Sequence, residues 1–422
     1  MNYYNENLFR RDILHVDMNS FYVSVELRDK PEEMKQAVAV GGDEENRHGI
    51  ILAKTPLAKK YGVKTGEPIW QAKKKCPNLK VLPPHYDKYV EVSKLAHKIY
   101  YSYTNQVEPF GMDECFLDIT NSRNLFGPGD VIAEIIKNQI HRELRVTVSV
   151  GRSFNKVFAK LASDMAGHNE ICEINENNFR DIVWSLDVNE MIMIGNRTKK
   201  KLNKINIYTL GDLAQTEPTI LKNLLGINGL KFRNWANGYD DSNVRDYYAQ
   251  IPIKTIGRSI TCREDLLNKF EVRAVLQELT QDISKRLIEN NFLARGIHVG
   301  YRDNNLYSRG YDRMFTYPTN SSIEITKLAM EVLHEHRDLE NRIRAIYIRS
   351  INLVPNNHAM QADLFTDIEC HEKRIKLEKT IYAIRKKYGK KSITYANLLG
   401  DLKMPDDGRE IVIMPHSFFM NL

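Results

Sequence analysis

Three acids and two lysines are the residues best placed to do chemistry. Asp17 ends the apolar run Asp12-Ile-Leu-His-Val-Asp17, and Asp113 and Glu114 stand side by side in Phe110-Gly-Met-Asp-Glu-Cys-Phe-Leu-Asp118. Carboxylates in apolar surroundings are costly unless they are paired, protonated or bound to metal. Two separate strands carrying them point to a shared cation. Hard oxygen ligands suit Mg²⁺, which completes its shell with substrate phosphates. Taken alone, the same acids would also fit solvated loops. Lys156 and Lys160 are four residues apart in Ser153–Ala166, hence on one helix face. A lysine facing a metal-bound polyphosphate is phosphoryl-transfer chemistry. In Asp17-Met-Asn-Ser-Phe-Tyr22 an aromatic pair, Phe21 and Tyr22, opens the next helix.

Hydrophobic periodicity supplies the elements that must hold these residues. Strands are expected over 12–17, 37–42, 49–53, 110–120 and 145–151, with helices over 57–61, 69–76 and 86–103. Phe154, Val157, Phe158, Leu161, Ala162 and Met165 recur at helical spacing. From about 171 to 240 the pattern is helical and broken by Gly195, Gly211, Gly226 and Gly229. A second α+β unit follows, with strands over 253–262, 293–301, 309–317 and 344–354 and helices over 272–290 and 323–336. A basic helix is expected over 373–388.

The chain has 422 residues, 42% of them hydrophobic and 27% charged, which fits several packed domains and argues against general disorder. No apolar run reaches the ~18 residues of a membrane helix. The polar N-terminus lacks the apolar core of a leader. The five cysteines form no CxxC pair, so a zinc knuckle or disulfide framework is not expected and a reducing cytoplasm fits. The net charge of +7 spreads as +2, 0, +3 and +2 over 1–170, 171–252, 253–350 and the remainder. No segment is strongly basic, so any anionic partner must be met by arranged charge.

Asp17–Glu26 (DMNSFYVSVE), Phe110–Asp118 (FGMDECFLD) and Val150–Ala166 (VGRSFNKVFAKLASDMA) resemble, in order and spacing, the three palm motifs of Y-family translesion DNA polymerases. The resemblance covers about residues 12–400. It implies an α+β multidomain, right-hand polymerase: palm over 1–20 and 85–170, fingers over 21–84, and a helix-hairpin-helix thumb over 171–240. A linker over 241–252, a little finger over 253–354 and a C-terminal tail over 355–422 would follow. It further implies that Asp17, Asp113, Glu114 and the Met18 carbonyl hold two Mg²⁺ ions. Tyr22 matches the steric gate against a ribose 2′-hydroxyl, with Phe21 beside it. Lys160 matches the triphosphate-binding lysine. Where many members carry a nucleotide-binding Tyr and Arg, this chain has Pro56 and Lys59. That departure is similar to the UmuC-like branch, and Thr55 would be the nearby compensating group.

For DNA, the resemblance places a thumb hairpin over 193–207, with Gly195, Arg197 and Lys199 at a helix start that can meet phosphate. The family often has Gly where Met193 stands. Arg258 and Arg302 fall on strands of the little finger. Between 253 and 350 there are 16 basic and 13 acidic residues, so backbone contact there depends on placement. Gln361-Ala-Asp-Leu-Phe365 resembles the bacterial peptide that docks in a β-type sliding clamp, with Leu364 and Phe365 as apolar anchors. The implied function is error-prone, template-directed DNA synthesis from dNTPs on primer-template DNA in SOS damage tolerance. The UmuC-like likeness leaves room for accessory subunits. A non-catalytic, clamp- and DNA-binding accessory protein is the alternative, disfavoured by the intact Asp17, Asp113, Glu114 and Lys160. A nucleotidyl cyclase, whose palm is similar, is disfavoured by the hairpin and the clamp-like peptide.

Overall fold

In a computed structural model the described residues are 11–43, 49–249, 252–337, 339, 341–357 and 368–405. The chain divides into two compact units near residue 250.

The first unit is built on a five-stranded sheet with Ile13–Met18 at its centre. Glu114–Asp118 pairs antiparallel on one side, then Val107–Pro109; on the other side Val148–Ser153 pairs antiparallel, then Ile171–Ile174 in parallel. Side chains alternate faces along a strand. Leu14, Val16 and Met18 therefore point one way, into a core with Tyr89, Val92 and Ala96 of the Tyr86–Tyr101 helix and Ile132, Ile136 and Ile140 of the Gly129–Leu144 helix. Ile13, His15 and Asp17 point the other way, toward the Lys156–Met165 helix.

Gly151 sets how closely that helix lies. A Cβ there would come within 2.0 Å of the Ala159 carbonyl and 2.3 Å of the Ser163 nitrogen. Only glycine lets backbone pack on backbone at this distance. Asn155 caps the helix by accepting from the Phe158 N–H at 2.7 Å.

Several boundaries differ from expectation. The strand expected over 145–151 starts at Val148, because Arg145 takes a left-handed φ of 55° to end the preceding helix. The strand expected over 110–120 shortens to Glu114–Asp118; Phe110 and Gly111 both donate to the Glu114 carbonyl, making a turn. Residues 171–174, expected to open a helical segment, are the outer strand of the sheet, because cross-strand bonds outweigh the local pattern. The segment expected as a linker over 241–252 is held to the first unit as far as Tyr248: Val244 is 2% exposed, and the Tyr247 N–H reaches the Asn105 carbonyl at 2.9 Å.

A three-stranded sheet (Val38–Gly41, Ile51–Lys54, Lys80–Leu82) and the short helices Pro56–Lys60 and Ile69–Lys75 form a small subdomain. Six further helices follow over 179–236; the last two, Pro218–Leu225 and Ile227–Ala236, join at Gly226 with φ 66°. The second unit is an antiparallel four-stranded sheet, in the order Ser308–Thr319, Phe292–Asp303, Ile343–Pro355, Ile256–Leu266. The helices Lys269–Glu289 and Ser322–His336 pack on one face. The basic helix, Ile368–Tyr388, packs against Lys269–Glu289.

Candidate active site

Asp17 and Glu114 sit directly opposite each other on neighbouring strands. Asp113 precedes Glu114 in the turn, and its carbonyl accepts from the Met18 N–H at 3.0 Å. A Cβ on Gly111 would lie 3.2 Å from Asp113 Oδ1, so glycine leaves that carboxylate room. From the helix above, Lys160 Nζ stands 3.5 Å from Asp17 Oδ2, 3.2 Å from Glu114 Oε1 and 2.8 Å from Asp164 Oδ1. The four residues that sequence placed together are thus brought to one end of the sheet. Lys156 is not among them; it pairs with Glu108 at 2.8 Å.

The acids are short of positive charge. Burial, then the charges of Glu114 and Asp113, push the Asp17 carboxyl up to about 7 despite Lys160. Burial and Glu114 raise Asp113 to about 6. Burial also works against ionised Glu114, but contact with His15 and the Lys160 charge outweigh it and hold its carboxyl below the ordinary range. Lys160 loses solvation yet is held strongly protonated by Glu114, Asp164 and Asp17. Among the described residues no three ligating side chains already converge on one point. Asp17, Glu114 and Asp164 gather around the Lys160 ammonium. Asp17 and Asp113, hard oxygen donors raised by burial and by the Glu114 charge, fit a divalent ion, which offsets both effects.

Tyr22 borders the site. The turn before it is strained, with Ser20 at φ 48°. The half-buried Tyr22 ring lies edge-on to Tyr89 at 4.8 Å and to Tyr86 at 6.4 Å. Tyr89 donates its hydroxyl to Glu26 at 2.5 Å. Burial and the Asp113 charge push the Tyr22 phenol up to about 12.

Other expected contacts are redirected. Phe21 is 2% exposed and packs against Tyr89, so its ring is core and not a nucleotide contact. Thr55 is fully buried; its hydroxyl donates to the Gln36 carbonyl at 2.7 Å and accepts from the Val38 and Ala58 N–H groups. It caps the helix that Pro56 begins, a favourable place for proline, and has no capacity left for a triphosphate. Lys59 is exposed on that helix.

Gly195 is exposed at the start of the Asn196–Asn203 helix, with nothing within 4 Å of a would-be Cβ. Arg197 is exposed in its first turn. Lys199 instead bridges to Asp187 at 2.6 Å. Met193 keeps the left-handed turn with φ 70° and is 62% exposed. In the second unit, Arg258 faces Asp282 at 3.7 Å, its side chain only 13% exposed, whereas Arg302 is exposed. Gln361, Leu364 and Phe365 lie outside the described residues.

Sequence reasoning missed His15, whose signal was available. It lies two residues before Asp17 on the same strand face, fully buried, with Nε2 3.5 Å from Glu114 Oε2. Ser163 and Asp164, one helical turn beyond Lys160, were missed as well.

Opposed carboxylates at a sheet end under a lysine can hold cations and a polyphosphate, the task of a nucleotidyl-transfer palm. The impB/mucB/samB family model matches residues 16–164, and the model of that family's C-terminal domain matches 253–364. The chain is 41% identical to the DNA polymerase IV of Acetivibrio thermocellus over 93% of its own length and 98% of that protein's. It is 34% identical to the DNA polymerase IV 1 of Bacillus subtilis, covering 91% of this chain and 92% of that one. In fold it is similar to a solved Y-family DNA polymerase chimera, Dbh-Dpo4(243-245)-Dbh, with TM-score 0.71 and 23% identity over 82% of this chain and all of that one. The chain belongs to the impB/mucB/samB family and is a Y-family, DNA-directed translesion DNA polymerase. These relatives bear the name DNA polymerase IV; the UmuC-like branch expected from Pro56 and Lys59 is not the one they name. No described helix is long and apolar enough to cross a membrane.

Proposed function

We propose that the chain extends a primer 3′ end from dNTPs by phosphoryl transfer at Asp17, Asp113 and Glu114. One observation carries this reading: Asp17 and Glu114 are opposed across two strands, with Lys160 within 3.5 Å of both. The three carboxylates and the Met18 carbonyl would hold two Mg²⁺ ions. When bound, the ions lower the pKa of the primer hydroxyl and neutralise the triphosphate and departing pyrophosphate. Lys160 would pair with the triphosphate, its ammonium already standing beside Asp17 and Glu114. Tyr22, stiffened by Tyr86 and Tyr89, excludes a ribose 2′-hydroxyl.

Primer-template DNA is held through phosphates, in support of which Gly195 needs neither conformational freedom nor internal space, and Arg197 and Arg302 are exposed. Lys59 adds a point charge for phosphate. The palm, fingers, thumb and little-finger division, a sliding clamp met through Gln361–Phe365, a cytoplasmic site of action and a role in SOS damage tolerance complete the reading. The test is primer extension with each dNTP singly, and with ATP or GTP alone. Incorporation should follow the template base, require Mg²⁺ and stop with EDTA. Template-independent use of ATP or GTP alone would overturn it.

A further inference from the structure

We propose that His15 and Ser163 form a buried pair that positions the Glu114 carboxylate for its cation. This rests on the reading of Asp17, Asp113 and Glu114 as cation ligands.

The His15 ring is fully buried between Phe116 and the Lys156–Met165 helix, its centroid 4.6 Å from that of Phe116. Its Nδ1 lies 2.7 Å from Ser163 Oγ. Its Nε2 makes no hydrogen bond and points at Glu114 Oε2 from 3.5 Å. A buried nitrogen without a partner is costly, so one aimed at a carboxylate calls for an explanation.

The hydroxyl of Ser163 has one proton and two acceptors in reach. One is the Lys160 carbonyl at 2.7 Å. That carbonyl is inside a helix, where the N–H four residues on already serves it. The other acceptor is His15 Nδ1. When Ser163 donates to Nδ1, the single hydrogen of the neutral ring sits on Nε2 and faces Glu114. The opposite choice turns a lone pair toward an ionised carboxylate. The serine thus selects the tautomer, and the tautomer holds Oε2. Oε1, the atom that faces Lys160 at 3.2 Å, is left for the cation.

The arrangement is built into the fold. His15 is the direct cross-strand neighbour of Gly151, the glycine that admits the helix carrying Ser163. Partners that orient a ligating carboxylate commonly contribute about 10–100-fold to metal affinity.

The experiment measures Mn²⁺ binding by EPR titration at fixed pH. The protein is the full chain, bound to primer-template with a dideoxy-terminated primer and the correct dNTP. His15→Leu should weaken Mn²⁺ binding about 10–100-fold, with primer-template affinity unchanged. His15→Gln, whose amide can still donate toward Glu114, should stay near wild type. Ser163→Ala, which frees the tautomer, should fall between them. Asp113→Ala is the control on the underlying reading. If Asp113→Ala leaves Mn²⁺ binding intact, the cation reading fails. If Asp113→Ala loses binding while Ser163→Ala and His15→Leu keep it, the positioning pair is overturned. Should His15→Leu not fold, Ser163→Ala against wild type decides: unchanged affinity overturns the pair, and weakened affinity supports it.

Discussion

Glu114 in the first unit and Glu378 in the second are both carboxylates largely removed from water, and their surroundings differ. Glu378 is 5% exposed and accepts from the Ser322 N–H at 2.7 Å, the Ser322 hydroxyl at 2.6 Å and the hydroxyls of Ser284 and Ser321 at 3.3 and 3.4 Å. Neutral donors at the start of the Ser322–His336 helix converge on its Oε1, and the helix dipole adds to the attraction. Glu114 shares one lysine with Asp17 and Asp164, and Asp113 stands next to it in the chain. Glu378 therefore fastens the basic helix to its unit, whereas the acids around Glu114 carry unspent charge. A buried charge met by neutral donors of the protein is architecture. A buried charge left in surplus is the kind that awaits a ligand.

The largest test of this contrast sets activity against stability. Glu114→Ala should cut the extension rate by about 10³-fold or more, since several kcal/mol of transition-state stabilisation are lost. Its stability should fall less than that of Glu378→Ala, because the loss of its contacts with Lys160 and His15 is offset by relief of its repulsion of Asp17 and Asp113. Glu378→Ala should do the reverse, destabilising the second unit by about 2–3 kcal/mol through stranded donors. Denaturant unfolding and primer extension on both variants check this; equal effects on both scales would erase the contrast.

Tyr22→Ala should lower discrimination against ribonucleotides by about 10–100-fold, the usual worth of excluding one small group. The ratio of kcat/KM for dNTP over rNTP measures it, and an unchanged ratio removes Tyr22 from that role.

The surplus should also appear as a pH effect. Asp17 is raised to about 7 from its ordinary 3.8, so its proton stabilises the metal-free fold below about pH 4. That stabilisation is lost as pH rises toward 7. Asp17→Asn, which cannot ionise, should therefore be more stable than wild type at pH 8 in EDTA, by about 1–2 kcal/mol. The advantage should shrink toward pH 5 and disappear at pH 8 with saturating Mg²⁺. Thermal melts under the three conditions decide it.

The smallest effect is local. Met193→Gly should stabilise the first unit by about 0.5–1 kcal/mol, since a left-handed φ of 70° costs a methionine more than glycine pays in chain entropy. Loss of stability would mean that the methionine side chain, not the turn, matters there.

The convergence of Asp17, Asp113, Glu114 and Lys160 was legible because three motifs in order and spacing resemble a polymerase palm; the strand and helix patterns around the acids alone fitted solvated loops as well. The second unit was legible in its local patterns: its four strands and two helices lie within a few residues of expectation. What escaped depends on partners far along the chain. His15 meets Ser163 across 148 residues, and Thr55 is consumed by Gln36 and Val38. Phe21 differs from Tyr22 only in the face it turns to the core. Lys199 and Arg258 looked free in sequence and are engaged by Asp187 and Asp282. The Gly129–Leu144 helix was overlooked although Ile132, Ile136 and Ile140 repeat every four residues.

The central claim is that the acids at the sheet end do the chemistry and are not needed to hold DNA. Single-turnover primer extension by Asp113→Ala in Mg²⁺, with primer-template affinity measured on the same preparation, tests it most directly. The account predicts extension reduced about 10³-fold or more at unchanged DNA affinity. Extension within tenfold of wild type, or a loss explained by weaker DNA binding, would contradict it.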